Sequence, residues 1–512
     1  MKKVFALLLS AIMLMGVAAG CQKSPTGPGS GSGSGEKTPK DTITIIINGE
    51  PETLDPAGAN ADPITIVLNF VMENLFELGP DGEIYCELLE SYDFMDDTTL
   101  HFKLKEGIRF SSGDELTSED VMWELERLQS APKSASHFAF IDIANSYIED
   151  DYNFVLKFTQ AWAPFSNTLS TGRGSIISKA AFEQLGETEF ARAPIGTGPY
   201  KIVKWEPGTQ IELTRNEYYH GEPAKTENLI IKFISEPTAR VIELETGSAD
   251  IAYYIEGTDI SRVDSIDGYH IEQGDSYRYF TVCLSMQEPL FQDERVRTAM
   301  CYAIDKEALV RAATNGVGIP INGYCPSAMS GYIDKGATPY DVEQAKKLMA
   351  EAGYANGFTI DLHVQPESIY ERAAEIIQSY WKEIGITTNI VSSALATYDA
   401  QHNGMFQASI RDGTATEISN VFIIYESSFG SRLNGNDSDL DKMLLDLRTY
   451  YYGDPARDAF LEGITEYLHQ KRYSYPFMVM PTIYGVSDKL EGFQFHPAED
   501  HMGNFVNWVA YS

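Results

Sequence analysis

Hydrophobic positions along the chain follow two rhythms. Residues 41–48 (DTITIIIN) form a β-branched run bounded by polar turns, the pattern of a strand. Residues 98–104 (TTLHFKL) alternate and predict another, and strands are also expected at 151–160, 229–234, 250–254, 277–284, 358–364, 386–391 and 475–479. Residues 200–205 and 210–215 read as paired strands across Glu206-Pro-Gly-Thr209. Helical spacing predicts helices over 66–77, 117–129, 237–246, 293–313, 341–352, 369–384, 437–451 and 455–471. Thr117 is expected to cap the second of these, with Asp120 as the capping-box acid. Gly247, Gly353 and Gly385 are expected to end three others. Strands that alternate with helices in this way predict an α/β fold rather than a sandwich.

The first residues read as an address. Lys2 and Lys3 precede an apolar run over residues 4–19, short for a membrane span and placed as a secretory segment would be. Small residues then lead to Cys21, which resembles a bacterial lipoprotein signal with Cys21 lipidated. Residues 22–40 are rich in Gly, Ser, Pro and Thr and read as a flexible linker behind the anchor.

Composition narrows the function. The chain has 512 residues, 43% hydrophobic and 12% aromatic, which excludes a disordered polymer. With 39 Lys+Arg against 74 Asp+Glu, its formal charge of −35 argues against nucleic acid as a partner. Most of that acid is expected to serve solubility. Five cysteines cannot form a disulfide-dense framework, although one bridge among Cys283, Cys301 and Cys325 stays open. HExxH, P-loop and GxSxG motifs are absent, so catalysis is not expected. His496 and His501 lie five apart near the C-terminus, but acidic neighbours alone do not make a metal site; no metal and no cofactor are expected.

Several blocks stand in a particular order. They are Glu50-Pro-Glu-Thr-Leu-Asp-Pro56, residues 102–121 around Lys105-Glu-Gly-Ile-Arg-Phe110, and Ile195-Gly-Thr-Gly-Pro-Tyr200 leading to Leu213-Thr-Arg-Asn216. Glu245-Thr-Gly-Ser-Ala-Asp-Ile251, residues 293–305 and residues 340–354 follow. Together they resemble the extracytoplasmic solute-binding proteins of ABC importers, in the oligopeptide, dipeptide and nickel-binding class. The resemblance implies a two-lobed periplasmic-binding-protein clamp of the large type II class, with an extra inserted subdomain. One lobe would combine residues 41–75, 193–275 and 481–512; the insertion would occupy 76–192 and the second lobe 276–480. Gly196 and Gly198 are expected to allow close backbone approach, and Arg295, Arg297 and Asp305 to bond each other or helix ends.

The same resemblance points to a ligand loop at residues 410–422. In peptide-binding relatives an Asp there pairs with the peptide amine. Anchoring on Glu417, Asn420 and Val421-Phe422 puts Arg411 at the family's Trp and Thr414 at that Asp. A Thr hydroxyl brings no charge, so Asp412 is a candidate substitute, and Arg411 a candidate anchor for a carboxylate. A solvated Arg411–Asp412 surface pair is the alternative. Asn60 and Asp62 lie in the loop after Leu54-Asp-Pro56, and Tyr254, Tyr279 and Tyr425 are candidate cleft tyrosines. The expected function is capture of a small solute, most simply a short peptide, for delivery to ABC permease subunits. The protein would be a monomer held by its lipid on the outer face of the cytoplasmic membrane. An oligosaccharide, metal chelate or anionic solute, or a sensing role on the same fold, are the alternatives.

Overall fold

The central strand of the first sheet, Thr42–Ile47, carries four fully buried isoleucines, Ile43, Ile45, Ile46 and Ile47. A strand covered on both faces is what a parallel α/β sheet requires. In this computed structural model the described residues are 38–59, 62–393, 398, 406–427, 433, 435–451, 454–498 and 505–512. Cys21, Asn60 and His501 lie outside them.

The first sheet has seven strands, in the order Tyr269–Gly274, Thr482–Ser487, Ile251–Ala252, Thr42–Ile47, Asn228–Phe233, Gln210–Arg215 and Tyr200–Glu206. Thr42–Ile47 runs parallel to both neighbours, with Ile45 opposite Ile231 on one side and Ile251 on the other. A six-stranded sheet forms the second lobe, in the order Ile319–Pro320, Ser474–Val479, Arg278–Leu284, Ala408–Thr414, Phe358–Val364 and Ile386–Ser392. Between the first two strands of lobe I in sequence lies a four-stranded antiparallel sheet, ordered Leu89–Asp96, Thr99–Leu104, Asn153–Lys157, Tyr147–Ile148. Each sheet has its own hydrophobic core: Phe102, Leu125 and Phe154 in the inserted sheet, Ile231, Tyr253 and Trp508 in lobe I, Leu362, Ile377 and Trp381 in lobe II.

Two expected helices are divided. The pattern over 66–77 becomes a helix Asp62–Val71 and a strand Phe76–Leu78. Pro63 suits a first turn, and the strand pairs with Ile84–Cys86 across the Gly79–Gly82 turn. The helix expected over 293–313 is two, Glu294–Tyr302 and Lys306–Ala313, because Asp305 caps the second by accepting from Ala308 N at 3.0 Å. Arg295 pairs with Asp293 and Arg297 donates to the carbonyls of Phe291, Gln292 and Lys471, so these charges close helix ends. Cys86, Cys283, Cys301 and Cys325 are all free thiols, and the disulfide left open among the last three does not form. Among the described residues no helix is long and apolar enough to cross a membrane.

The turn at 195–200 acts by proximity. A Cβ on Gly198 would lie 2.6 Å from the Val71 carbonyl carbon and 2.8 Å from Met72 N. The glycine lets that loop lie directly against the end of helix Asp62–Val71. Asp55 of the Leu54-Asp-Pro56 block bonds Ala57 N and receives both amino nitrogens of Arg127 at 2.7 and 2.9 Å. Arg127 also holds Glu124, on the same helix Ser118–Ser130, through two further bonds. This buried triad fastens the inserted subdomain to lobe I.

Candidate functional site

The chain crosses between the two large sheets twice, from Gly274 to Arg278 and from Val479 to Thr482. Ser276 ties the crossings together: its Oγ donates to the Met480 carbonyl at 2.7 Å and accepts from Arg278 N at 3.0 Å. Parallel strands of both sheets point their carboxyl ends toward these crossings. In open α/β sheets that is where ligands bind, because the ends of helices and strands leave a crevice there.

A cavity of about 350 Å³ opens at that place. Asn48, Ser235 and Tyr254 line it, each just past the carboxyl end of a parallel strand of lobe I. Asp62 joins them from the first turn of its helix, and Arg278 and Met480 contribute from lobe II. The Tyr254 hydroxyl donates to Asp62 Oδ2 at 2.9 Å. Tyr254 itself holds φ at +53°, a left-handed conformation rare for an aromatic residue. Arg240 fixes it by donating to its carbonyl at 2.7 Å while also bonding the carbonyls of Ile234 and Ser235. Burial draws the Arg240 guanidinium below its ordinary pKa, against the pull of Glu256 and Glu236. A strained backbone fixed by a buried cation marks a place where side-chain direction matters.

A second cavity of about 200 Å³ shares Glu256, Arg278 and Met480 with the first and continues to Glu367 and Arg372 of lobe II. The crevice thus carries charges of both signs on both lobes.

Strand Ala408–Thr414 separates two of the candidates. Arg411 stands opposite Thr281 and Asp412 opposite Phe280, so the two side chains leave opposite faces of the sheet. They are not a surface pair. Asp412 receives Arg278 Nε at 3.0 Å, and its neighbour Tyr370 is held above the ordinary tyrosine pKa, first by burial and then by the Asp412 charge. Arg411 is partly buried on the Tyr279 face, and among the described residues no side chain or carbonyl bonds its guanidinium. Thr414 is exposed at the strand end.

The remaining candidates sit deeper. Glu417 is 2% exposed, forms an ion pair with Arg457 and accepts from Ser419 N at the start of helix Ile418–Phe422. Tyr425 is 1% exposed, with its hydroxyl on Ser474 Oγ at 2.5 Å, and Tyr279 is 4% exposed in the same core. The structure therefore brings Asp62 to Tyr254 and, through Arg278, the crevice to Asp412. It places Glu417 and Tyr425 inside lobe II.

Sequence reasoning missed Arg278, Arg240 and Asn167. Arg278 lies one residue inside an expected strand and carried no motif. Asn167 sits in the turn Phe165–Thr168 of the inserted subdomain and accepts from Thr416 Oγ1 at 3.0 Å, so the 410–422 loop touches the insertion directly. The Asn167 side-chain amide nitrogen is buried, with no hydrogen-bond partner among the described residues.

Known proteins share this architecture. The family described as bacterial extracellular solute-binding proteins, family 5 Middle, matches residues 83–434. The glutathione-binding protein GsiB of Pectobacterium atrosepticum is 26% identical over 357 residues, 69% of this chain and 69% of that protein. The ABC transporter substrate binding protein CtaP of Listeria monocytogenes superposes with a TM-score of 0.82 at 20% identity, over 92% of this chain and all of that one. The oligopeptide-binding protein AppA of Bacillus subtilis, in complex with a nonapeptide, gives 0.75 at 20% identity over 93% and 100%.

Proposed function

The chain belongs to the family 5 bacterial extracellular solute-binding proteins, and from that premise we propose that it captures a short peptide or peptide-like solute between its lobes for an ABC importer. The observation that carries this reading is the crevice at the hinge, lined from both sheets by charges of both signs. Only a solute that touches both lobes can shift an open–closed equilibrium, since the shift equals its differential affinity for the two states. Asp62 on lobe I suits an ammonium group, and the Arg372 guanidinium, which lines the second cavity from lobe II, suits a carboxylate. A zwitterion with separated ends matches that arrangement.

The lobes are assigned as residues 41–75 with 193–275 and 481–512, and 276–480, with 76–192 as the inserted subdomain. The protein acts as a binding protein without turnover, as a monomer, on the outer face of the cytoplasmic membrane through a lipid on Cys21. Cys21→Ala should move it from the membrane fraction to the soluble fraction; retention on the membrane would remove the anchor from the account.

A second reading has one observation in its favour. Thr414 supplies no carboxylate where peptide-binding relatives keep one, while among the described residues no side chain or carbonyl bonds Arg411, and this favours an anionic solute. Thermal shift of tripeptides, their N-acetylated and C-amidated forms, dicarboxylates, oligosaccharides and metal chelates separates the readings. A solute at 100 times Kd should stabilise the protein by about 2.7 kcal/mol. Shifts from free tripeptides that vanish on N-acetylation support the peptide reading. Shifts from dicarboxylates or chelates, with none from peptides, overturn it.

A further inference from the structure

The inserted subdomain touches lobe II as well as lobe I. Helix Ser438–Leu447 belongs to lobe II, with Leu440, Leu444 and Leu447 in that lobe's core. Just past its end, Tyr451 packs instead against the core of the inserted subdomain. Its ring centroid lies 4.2 Å from that of Phe94, and its hydroxyl donates to the Asp97 carbonyl at 3.1 Å. Arg448 accepts the Ala163 N–H on its carbonyl at 2.7 Å and sets its guanidinium 4.7 Å from the centre of the Trp162 ring. Trp162 is stacked in turn on Phe140, within the subdomain. The bond from Thr416 to Asn167 ties the 410–422 loop to the same subdomain.

These contacts join bodies that can move apart. The Arg127 triad fastens the subdomain to lobe I, whereas the chain connects lobe II to lobe I through the crossings at Gly274–Arg278 and Val479–Thr482. Rotation about those crossings draws Tyr451 away from Phe94 and Arg448 away from Trp162. The parts suit repeated use. Arg448 also forms an ion pair with Glu426, which lies within lobe II, so the guanidinium stays aimed when the contact is broken. Little side-chain freedom is then lost on closing. Phe94 is 45% exposed even with Tyr451 against it, so the joint is shallow. A cation over an indole and a single backbone bond at such a place are each weak enough to reverse.

We propose that Arg448 and Tyr451 form a clasp by which the inserted subdomain holds the two lobes together, so that the protein without solute is already partly closed. The clasp goes beyond the closing of two lobes on a solute and rests on that reading for its use. A solute that selects the closed form meets a population the clasp has set, and its apparent Kd rises as that fraction falls. Closing also returns Thr416 to Asn167, so the same movement positions the 410–422 loop.

Small-angle X-ray scattering of the mature chain, with no solute added, tests this. A compact chain of this size has a radius of gyration of about 23 Å, and Arg448→Gln with Tyr451→Ser should exceed the parent by about 0.5–1 Å. Leu445→Ser, at an exposed position on the same helix, should scatter as the parent does. In a Cys86→Ser background, bridging Asn167→Cys to Thr416→Cys with a short thiol cross-linker should return the double variant to the parental radius, which a misfolded chain could not do. A double variant that scatters like the parent overturns the clasp. So does an increase that bridging leaves in place, or one that Leu445→Ser shares. Because no solute is present, these outcomes stand apart from the peptide reading, which thermal shift decides.

Discussion

Arg127→Met removes the cation that joins the inserted subdomain to lobe I and leaves most of the apolar stem in place. Arg127 makes four bonds of 2.7–2.9 Å to two carboxylates, with Glu124 0% and Asp55 9% exposed at the side chain. Removing one partner of a buried ion pair costs about 3–5 kcal/mol, because the charge left behind is desolvated and unpaired. Protonation offers an escape, at about 1.4 kcal/mol per pH unit above the group's pKa. Burial pushes Glu124 up to about 7 even with Arg127 lowering it. A carboxyl whose folded pKa lies above its unfolded value binds its proton more tightly when folded, so its penalty grows as pH rises from about 4.5 toward 7. Without Arg127 the upper end of that window moves higher still. Near pH 5 Glu124 is protonated in both proteins and the variant loses mainly the Asp55 pairing, about 1–2 kcal/mol. By pH 8 the loss should reach about 3–5 kcal/mol. Urea unfolding followed by tryptophan fluorescence at the two pH values measures both. A deficit below about 1 kcal/mol at pH 8, or one equal at pH 5 and pH 8, would refute the reasoning. Adding Glu124→Gln should recover part of the loss at pH 8 and little at pH 5.

Two further changes separate scaffold from site. Gly198→Ala drives a methyl into backbone atoms of Val71 and Met72 and should cost about 3 kcal/mol in urea unfolding. Gly208→Ala meets nothing within 4 Å and pays only for its φ of +73°, about 1 kcal/mol; equal losses would contradict the close-approach account. Asp412→Ala removes the carboxylate that accepts from Arg278 Nε and should weaken a solute with a cationic end about tenfold while costing under about 1 kcal/mol of stability. Unchanged affinity by titration calorimetry removes Asp412 from the site.

Periodicity located most elements because their burial follows it. Strand Thr42–Ile47, helix Ser368–Glu383 and helix Pro455–Lys471 stand within a residue or so of their expected bounds. It failed where tertiary contacts cut a continuous apolar run: the Phe76–Leu78 pairing with Ile84–Cys86, and the Asp305 cap between two helices. The site was only partly legible. Asp62 and Tyr254 meet as candidates 192 residues apart, but nothing in the local pattern announces that Arg278 will take Asp412 across 134 residues. Strand alternation could have separated Arg411 from Asp412, since adjacent strand residues leave opposite faces. Tyr425 and Glu417 looked like cleft residues because a Tyr hydroxyl and a carboxylate suit both a ligand and a buried bond. Only the placement of Ser474 and Arg457 decides between these uses.

The central claim is that one solute bridges the two lobes. It is tested by titrating the solute selected by thermal shift into Asp62→Asn on one lobe and Arg372→Ala on the other. The account predicts that each change weakens binding about tenfold or more while unfolding midpoints stay near the parent's. Loss from a change on one lobe only, with the other at parental affinity, would contradict it.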